Sequence, residues 1–272
     1  MAEIDLLDAL RRRLRELERV VVAFSGGADS AFLAWVAHDT LGPSACSAVT
    51  AVSASLAGEE AADCAALAEE WGLRWTTVTT DELARPAYVA NDTDRCAHCK
   101  SELMDALAPL AAARAGGGAG ATIVLGTNLD DLHDHRPGQA AAAERGAAFP
   151  LVDAGFTKAS VREASRRLGL RTWDKPAAAC LASRVPYGTP VTLGVLDRVG
   201  RAEAALHRLG FPQVRVRHYG DVARLEFELA DLPRAVERGE EIVHAIKAAG
   251  YNRVTVDLEG FRTGNLNPRP PA

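Results

Sequence analysis

Three groups of residues in this chain have the types and the spacing to do chemistry. They are a Ser-Gly-Gly-Ala-Asp-Ser run at 25–30, a Cys-x-x-Cys pair at Cys96 and Cys99, and Cys180 with Arg184 shortly after it. In the first group Ser25, Gly26 and Gly27 let backbone N–H groups close on an anion with no bulky side chain in the way. A helix opening at that point would turn the positive end of its dipole toward the anion. Ser25 and Ser30 add hydroxyl donors, and Asp29 can hold Mg²⁺ or a water. The same run also reads as a tight glycine turn with a Ser or Asp cap on a helix. It is not a Walker A loop, because no lysine follows the glycines.

The cysteines suggest a second kind of chemistry. Cys96 and Cys99 open a predicted helix in NDTDRCAHCK, with Arg95 and Lys100 beside them. A helix N-terminus and neighbouring cations favour the thiolate, the form that attacks and ligates. Cys96, Cys99 and Cys180 are one ligand short of a closed tetrahedral zinc site. They suit a cubane iron–sulfur cluster with one open iron, and they also tolerate zinc completed by a water. His98, inside the tight CxxC turn, is a poor fourth ligand. A redox pair, or an incidental pair, is the plainer alternative. Cys46, in a predicted strand, and Cys64, in a predicted helix, read as core residues. Five cysteines, an odd count, argue against a disulfide scaffold.

The elements that must position these groups follow from the hydrophobic pattern. Leu6–Leu17 reads as a helix and RVVVAF, ending at Phe24, as a doubly covered strand. A helix is expected from about Asp29 to Leu41, a strand from Cys46, a helix over Gly58–Trp71 and a strand over Leu73–Val78. A helix from about Cys99 to Arg114, a GGGAGA connector and the strand TIVLG from Thr122 complete the alternation. Such alternation predicts an α/β fold with a parallel sheet and helices on both faces. From Asn128 to Tyr187 the pattern breaks into loops around one clear helix, Lys158–Leu168. Beyond Pro190 come a helix at Leu193–Leu209, strands QVRVRHY and VARLEFE, a helix at Leu232–Ala249 and a strand NRVTVDL. The expected division is a nucleotide domain at 1–188, a smaller α+β domain at 189–266 and a disordered tail at 267–272.

Composition narrows the classes. The 272 residues are 48% hydrophobic and 25% charged, ordinary for a globular protein. A net charge of −5 gives no overall attraction to nucleic acid, and the RRRLR run reads as the solvated face of a helix. The N-terminal apolar residues are interleaved with acids and arginines, unlike a signal peptide. No stretch reaches the roughly 20 apolar residues that span a bilayer. A cytoplasmic protein without membrane or nucleic-acid partners is expected.

SGGADS resembles the SGGxDS loop of the PP-loop ATP pyrophosphatases (the adenine nucleotide alpha hydrolase-like fold), which cleave ATP between the α and β phosphates. Together with CAHCK, LGTNLDDLHDHRPG, FTKASVREASRRLGL, WDKPAAACLASRVPYG and VDLEGFRTGNLN, it is similar to the LarE family of sulfur transferases. The motifs keep the family's order and span about residues 20 to 267, and CLASRxPYG is the most specific of them. The resemblance implies ATP-dependent adenylation of a carboxylate of pyridinium-3,5-biscarboxylic acid mononucleotide and its conversion to a thiocarboxylate. That product serves the nickel-pincer cofactor of lactate racemase.

By the same resemblance Ser25, Gly26, Gly27, Asp29 and Ser30 would bind the ATP phosphates, with Mg²⁺. Gly126, Thr127, Asn128 and Asp131 would line the nucleotide site, and Lys100 would face phosphate. Arg184 would clamp a phosphate or carboxylate, and Glu203, Arg215 and Arg217 would hold substrate phosphate or metal. Two sulfur sources occur in the family. Either a cysteine corresponding to Cys180 gives up its own sulfur and becomes dehydroalanine, or three cysteines hold a 4Fe-4S cluster whose open iron carries hydrosulfide. The presence of Cys96, Cys99 and Cys180 together favours the cluster, reloaded by sulfide or another sulfur donor, and family members form homo-oligomers.

Other classes remain to be weighed. A PP-loop tRNA thiolase also combines such a loop with CxxC pairs, but it would show a broad basic surface. An amidotransferase or NAD synthetase would leave the cysteines without a purpose. A non-catalytic nucleotide-binding regulator would not need intact charged groups in every motif.

Overall fold

The computed structural model describes residues 3–113, 120–132, 137–176 and 179–262. Most of the GGGAGA connector and the whole of the expected disordered tail lie outside them. In chain order the first elements are α1 (Glu3–Leu17), β1 (Val20–Ala23), α2 (Ala28–Leu41), β2 (Cys46–Val52), α3 (Gly58–Glu70) and β3 (Trp75–Thr79). Then come α4 (Pro86–Ala90), α5 (Arg95–Ala113), β4 (Thr122–Val124), α6 (Pro137–Glu144), α7 (Pro150–Asp153) and α8 (Lys158–Arg167). The remainder is α9 (Leu193–Arg208), β5 (Val214–Tyr219), β6 (Val222–Phe227), α10 (Leu232–Glu237), α11 (Gly239–Ala248) and β7 (Arg253–Val256). The chain forms two units, one of Met1–Ser53, Gly58–Glu82 and Asp94–Ala178, the other of Ala54–Ala57, Leu83–Thr93 and Ala179–Ala272.

The first unit is an α/β layer with the parallel strand order β3-β2-β1-β4. Successive side chains of a strand point to opposite faces, and β1 shows what that demands. Val20 and Val22 enter one core with Leu10, Leu14, Phe32, Leu33 and Val161, residues of α1, α2 and α8. Val21 enters a second core with Met104, Leu107 and Ala111 of α5 and Ala142 of α6. Both faces of β1 are therefore dry, and its unbroken valine run is the sequence consequence. Phe32 of α2 meets Phe156, just ahead of α8, with ring centroids 5.2 Å apart.

In the second unit β5 and β6 pair antiparallel, and β7 adds to β6 in parallel. Residues of α9 and α11 pack on this sheet around Phe211 and Phe227, whose ring centroids are 4.8 Å apart. Short helix α4 ends at Asn91, whose backbone is left-handed (φ 59°). The Asn91 amide donates to the carbonyls of Pro186 and Thr189, each at 2.8 Å. Among the described residues no helix is long and apolar enough to cross a membrane.

Several boundaries differ from the sequence expectation. Helix α5 begins at Arg95 rather than near Cys99, opened by a bond from Ala97 N–H to the Asp94 carbonyl (2.7 Å). The helix expected over Leu232–Ala249 is broken at Arg238, where Gly239 loosens the backbone and the Arg238 guanidinium reaches the Leu209 carbonyl. The stretch expected to be irregular contains α6 and α7. Alanine-rich α6 has no apolar period to read, and a four-residue helix is too short to show one.

Replacing Phe32 with Ala should cost about 3–5 kcal/mol, as large-to-small changes in a closed core do. Urea unfolding measures it. The same cavity should loosen α8 and weaken ATP binding, which equilibrium titration reads.

Candidate active site

The strand order places the structural switch between β1 and β4. The chain moves outward from β1 through β2 to β3 and then returns to the other side of β1. In open α/β sheets ligands bind at the carboxyl ends of the strands at such a point. The loop after β1 is the Ser-Gly-Gly run, and the loop after β4 is Leu125 to Asn128. The end of β1 is fixed laterally: Trp75 Nε1 donates to Thr50 Oγ1 (2.9 Å), which donates to the Phe24 carbonyl (2.7 Å).

Gly126 lets the β4 loop approach the opening turn of α2, and Gly26 lets the β1 loop approach α3. A Cβ on Gly126 would stand 2.7 Å from Ser30 N and 2.8 Å from Ser30 Cα. Gly26 has φ +70°, and a Cβ there would stand 2.8 Å from Cys64 Sγ. Gly27 is the N-cap of α2 and supplies no side-chain cap. The opening N–H groups of a helix have no intrahelical partner, so this end is built to receive an anion. The two serines brace the loop: Ser25 N–H donates to Ser30 Oγ (3.2 Å), which donates to the Gly27 carbonyl (3.1 Å).

Beside this donor surface stand two carboxylates, Asp29 half-buried and Asp131 buried. Burial first, and the facing charge of Asp131 second, hold the Asp29 carboxyl above its ordinary pKa. Asn128, Lys158 and Arg162 pull it the other way. Asp131 accepts from Asn128 N–H (3.2 Å) and pairs with the Lys158 ammonium (3.1 Å). Asn128 is fully buried, and its Oδ1 accepts from Asp130 N–H (3.0 Å). Thr127 lines a cavity of about 240 Å³ with Leu132, Gln139, Phe149 and Val152. N–H donors beside two carboxylates have the chemistry to take a metal-bound polyphosphate, since Mg²⁺ is commonly held by one or two carboxylates plus substrate phosphates.

Cys96 and Cys99 sit on the opening turn of α5 in this first unit, the former exposed and the latter half-buried. Cys99 Sγ lies 3.9 Å from Glu82, which also accepts from Thr80 Oγ1 (3.0 Å). His98 is turned onto Asp94 (3.1 Å). The stem of Lys100 packs against α6, where a Cβ on Gly138 would stand 2.7 Å from Lys100 Cγ and 2.8 Å from the Cys96 carbonyl. Cys46 and Cys64 are in the core, as expected. Among the described residues no three His, Cys, Asp or Glu side chains are grouped to hold a metal ion.

Cys180 belongs to the second unit, exposed at the head of a 3-10 turn, Leu181–Arg184. Arg184 holds that turn. Its Nη1 donates to the carbonyls of Ala179 (2.6 Å) and Cys180 (3.1 Å), while Nε and Nη2 grip Glu203 at 2.9 and 2.8 Å. Glu203 also accepts from Val216 N–H (2.9 Å). On the facing strands Arg217 pairs with Glu226 (2.7 Å) and donates to the Ser183 carbonyl (2.9 Å). Arg184, Arg215, Arg217, Glu203 and Glu226 are all buried. Arg224 also pairs with Glu226 (3.2 Å) and lies 3.5 Å from Asp257, so guanidinium and carboxylate groups alternate through one ion-pair network. Burial first, then the Arg184 charge, push the Arg215 pKa down to about 10.

The structure thus gathers Ser25–Ser30 with Gly126, Asn128 and Asp131, and gathers Arg184 with Glu203, Arg215 and Arg217. It brings Cys96 and Cys99 together and assigns Cys180 to the other unit. Sequence reading missed Lys158, Arg162 and Glu226. Glu226 stands out only once it is buried and the strand register sets it opposite Arg215.

Comparison with known proteins adds relatives. Residues 5–115 match the NAD synthase family model. An uncharacterized protein of Synechocystis sp. is 47% identical over 264 residues, 96% of each chain. The pyridinium-3,5-bisthiocarboxylic acid mononucleotide synthase of Lactiplantibacillus plantarum is 37% identical over 254 residues, 93% of this chain and 91% of its own. An uncharacterized protein of Methanocaldococcus jannaschii is 30% identical over 141 residues, 52% of this chain and 55% of its own.

Replacing Asp29 with Asn should raise the melting temperature at neutral pH, because it removes a half-buried charge that faces another. It should also weaken Mg²⁺–ATP binding by about 10-fold or more. In the unsubstituted chain the Asp29 carboxyl, with its folded pKa above the unfolded value, should add stability as pH falls through the folded pKa. Mg²⁺ binding, which needs the carboxylate, should weaken over the same window. Melting curves and Mg²⁺ titrations across that range check both signs.

Proposed function

The chain belongs to the LarE family of PP-loop proteins, and on that premise we propose that it is an ATP-dependent sulfur transferase making pyridinium-3,5-bisthiocarboxylic acid mononucleotide from the dicarboxylate nucleotide. The observation that carries this reading is the uncapped start of α2 beside Asp29 and Asp131, held open by Gly126 against Ser30.

A carboxylate is a poor electrophile, because its oxygen leaves badly and its charge repels a nucleophile. In the proposed first step a substrate carboxylate oxygen attacks the α-phosphorus of ATP. A P–O bond forms, the bond to the β-phosphate breaks, and pyrophosphate departs. The N–H groups at the start of α2 and the Ser25 and Ser30 hydroxyls hold the phosphates as charge shifts to the leaving group. Asp29 and Asp131 fit a Mg²⁺ ion, which would neutralise phosphate charge when bound. In the second step a sulfur nucleophile attacks the acyl carbon, the C–O bond breaks and AMP leaves. Arg184, Arg215 and Arg217 would hold the phosphate of the substrate nucleotide.

The sulfur source is the finer part of the proposal. Cys96, Cys99 and Cys180 are the cysteines outside the core, and thiolates at helix or turn starts suit an iron–sulfur cluster. A 4Fe-4S cluster on these three would supply the transferred sulfur. Arg184 keeps the Cys180 turn in place through two backbone carbonyls.

The test uses protein purified without oxygen and given ATP, Mg²⁺, sulfide and the dicarboxylate nucleotide. Mass spectrometry follows product and intact chain together. The proposal expects several thiolated products per chain with Cys180 unaltered, and loss of multiple turnover in Cys96→Ser and Cys99→Ser. One product per chain with Cys180 converted to dehydroalanine would refute the cluster and make Cys180 the donor. Absence of any thiolated product would refute the sulfur-transferase reading itself.

A further inference from the structure

The phosphate loop of this chain contains no lysine, yet a lysine ammonium stands against it. Lys175 Nζ lies 3.7 Å from where a Cβ on Gly26 would be. It reaches that point from the WDKP segment, far along the chain. Its side chain is only 17% exposed, and it is gripped by Glu60 (2.8 Å) and Asp63 (2.6 Å) of α3. Arg171 pairs with the same Asp63 (2.7 Å) and with Glu70 (2.8 Å), so α3 holds the segment at both ends. Arg162 of α8 donates to the Lys175 carbonyl (3.1 Å) and fixes the backbone from the other side. Burial pulls the Lys175 pKa down, but its bonds to Asp63 and Glu60 outweigh this and leave the pKa raised, so the group is cationic at neutral pH.

We propose that Lys175 binds the β and γ phosphates of ATP, the part that leaves as pyrophosphate, and that Glu60 and Asp63 hold its ammonium beside the loop until phosphate arrives. The proposal deepens the reading of the loop as an ATP site and rests on it. A loop that supplies only backbone N–H groups and hydroxyls donates hydrogen bonds but carries no full positive charge. Pyrophosphate is a multiply charged leaving group, and a compact ammonium is the point charge that other phosphate loops carry within their own sequence. Here the same charge comes from a distant segment, poised by two carboxylates. When phosphate oxygens approach Gly26, Lys175 can exchange a carboxylate for them with little movement, and Asp63 keeps Arg171 as its partner.

An ion pair that serves only to hold the fold predicts something different. Breaking it from either side would then have the same effect. In a phosphate-binding role the two sides have opposite signs: losing Lys175 removes the attraction, whereas losing Glu60 removes a competitor and a negative charge near the ligand.

The experiment titrates the full chain by calorimetry with inorganic pyrophosphate, and separately with AMP, in the presence of Mg²⁺. Lys175→Gln should weaken pyrophosphate binding by about 10-fold or more, and Glu60→Gln should tighten it several-fold. AMP binding should stay within about 2-fold in both variants. Unchanged pyrophosphate affinity in Lys175→Gln, or a shift of both variants in the same direction, overturns the proposal. If Lys175→Gln does not fold, Glu60→Gln decides alone: tighter binding supports the proposal, and unchanged or weaker binding overturns it. Failure of the unsubstituted chain to bind either ligand would instead bring down the reading of the loop as a nucleotide site, and this proposal with it.

Discussion

Two loops at the carboxyl ends of β1 and β4 pass so closely that a single methyl group at Gly126 would collide with the backbone of Ser30. That approach sets the geometry of the nucleotide site. It fixes where α2 begins relative to the β4 loop, and so where the helix N-terminus faces. It also brings Asn128 and Asp131 beside Asp29, so that a donor surface and a carboxylate pair share one crevice. The two dry cores on either side of β1 keep the strand ends from drifting, and the Trp75–Thr50–Phe24 relay ties them laterally. Packing of this density resists displacement, which is what a site for bond-making needs.

Each unit sets like charges close enough to perturb one another. In the first unit half-buried Asp29 faces buried Asp131, a repulsion that a divalent cation would relieve. In the second, burial first and the neighbouring Arg184 charge second depress the Arg215 pKa. A phosphate group would relieve that repulsion. Crowding like charges away from water costs stability, a cost that a bound ligand of opposite charge would offset. The turn that carries Cys180 draws its rigidity from the second network, since Arg184 joins its carbonyls to Glu203.

Much of this was legible in the residues. The valine run of β1, the glycine-rich loop and the alternation of strand and helix led directly to the parallel sheet, because burial on both faces leaves a plain signature. The glycine loop could be read because glycine is required where a Cβ cannot fit, as at Gly26 and Gly126. Other features were not legible. Alanine-rich α6 carries no amphipathic period, and the break between α10 and α11 depends on Arg238 reaching a carbonyl distant in sequence. Lys175 and Glu226 escaped notice because their surroundings come from tertiary contacts. A lysine beside a proline looks like any surface lysine until α3 and α8 close around it, and Glu226 is one acid in a strand until the register sets it across from Arg215.

The central claim is that this crevice cleaves ATP between the α and β phosphates by transferring AMP to a carboxylate. The most direct test uses the dicarboxylate nucleotide labelled with ¹⁸O in its carboxyl groups, turned over with ATP, Mg²⁺ and sulfide. Adenylation followed by attack on the acyl carbon moves a carboxyl oxygen onto the departing AMP. The account therefore predicts ¹⁸O in the phosphate of AMP together with release of pyrophosphate. AMP free of label, or ADP and inorganic phosphate as the nucleotide products, would contradict it.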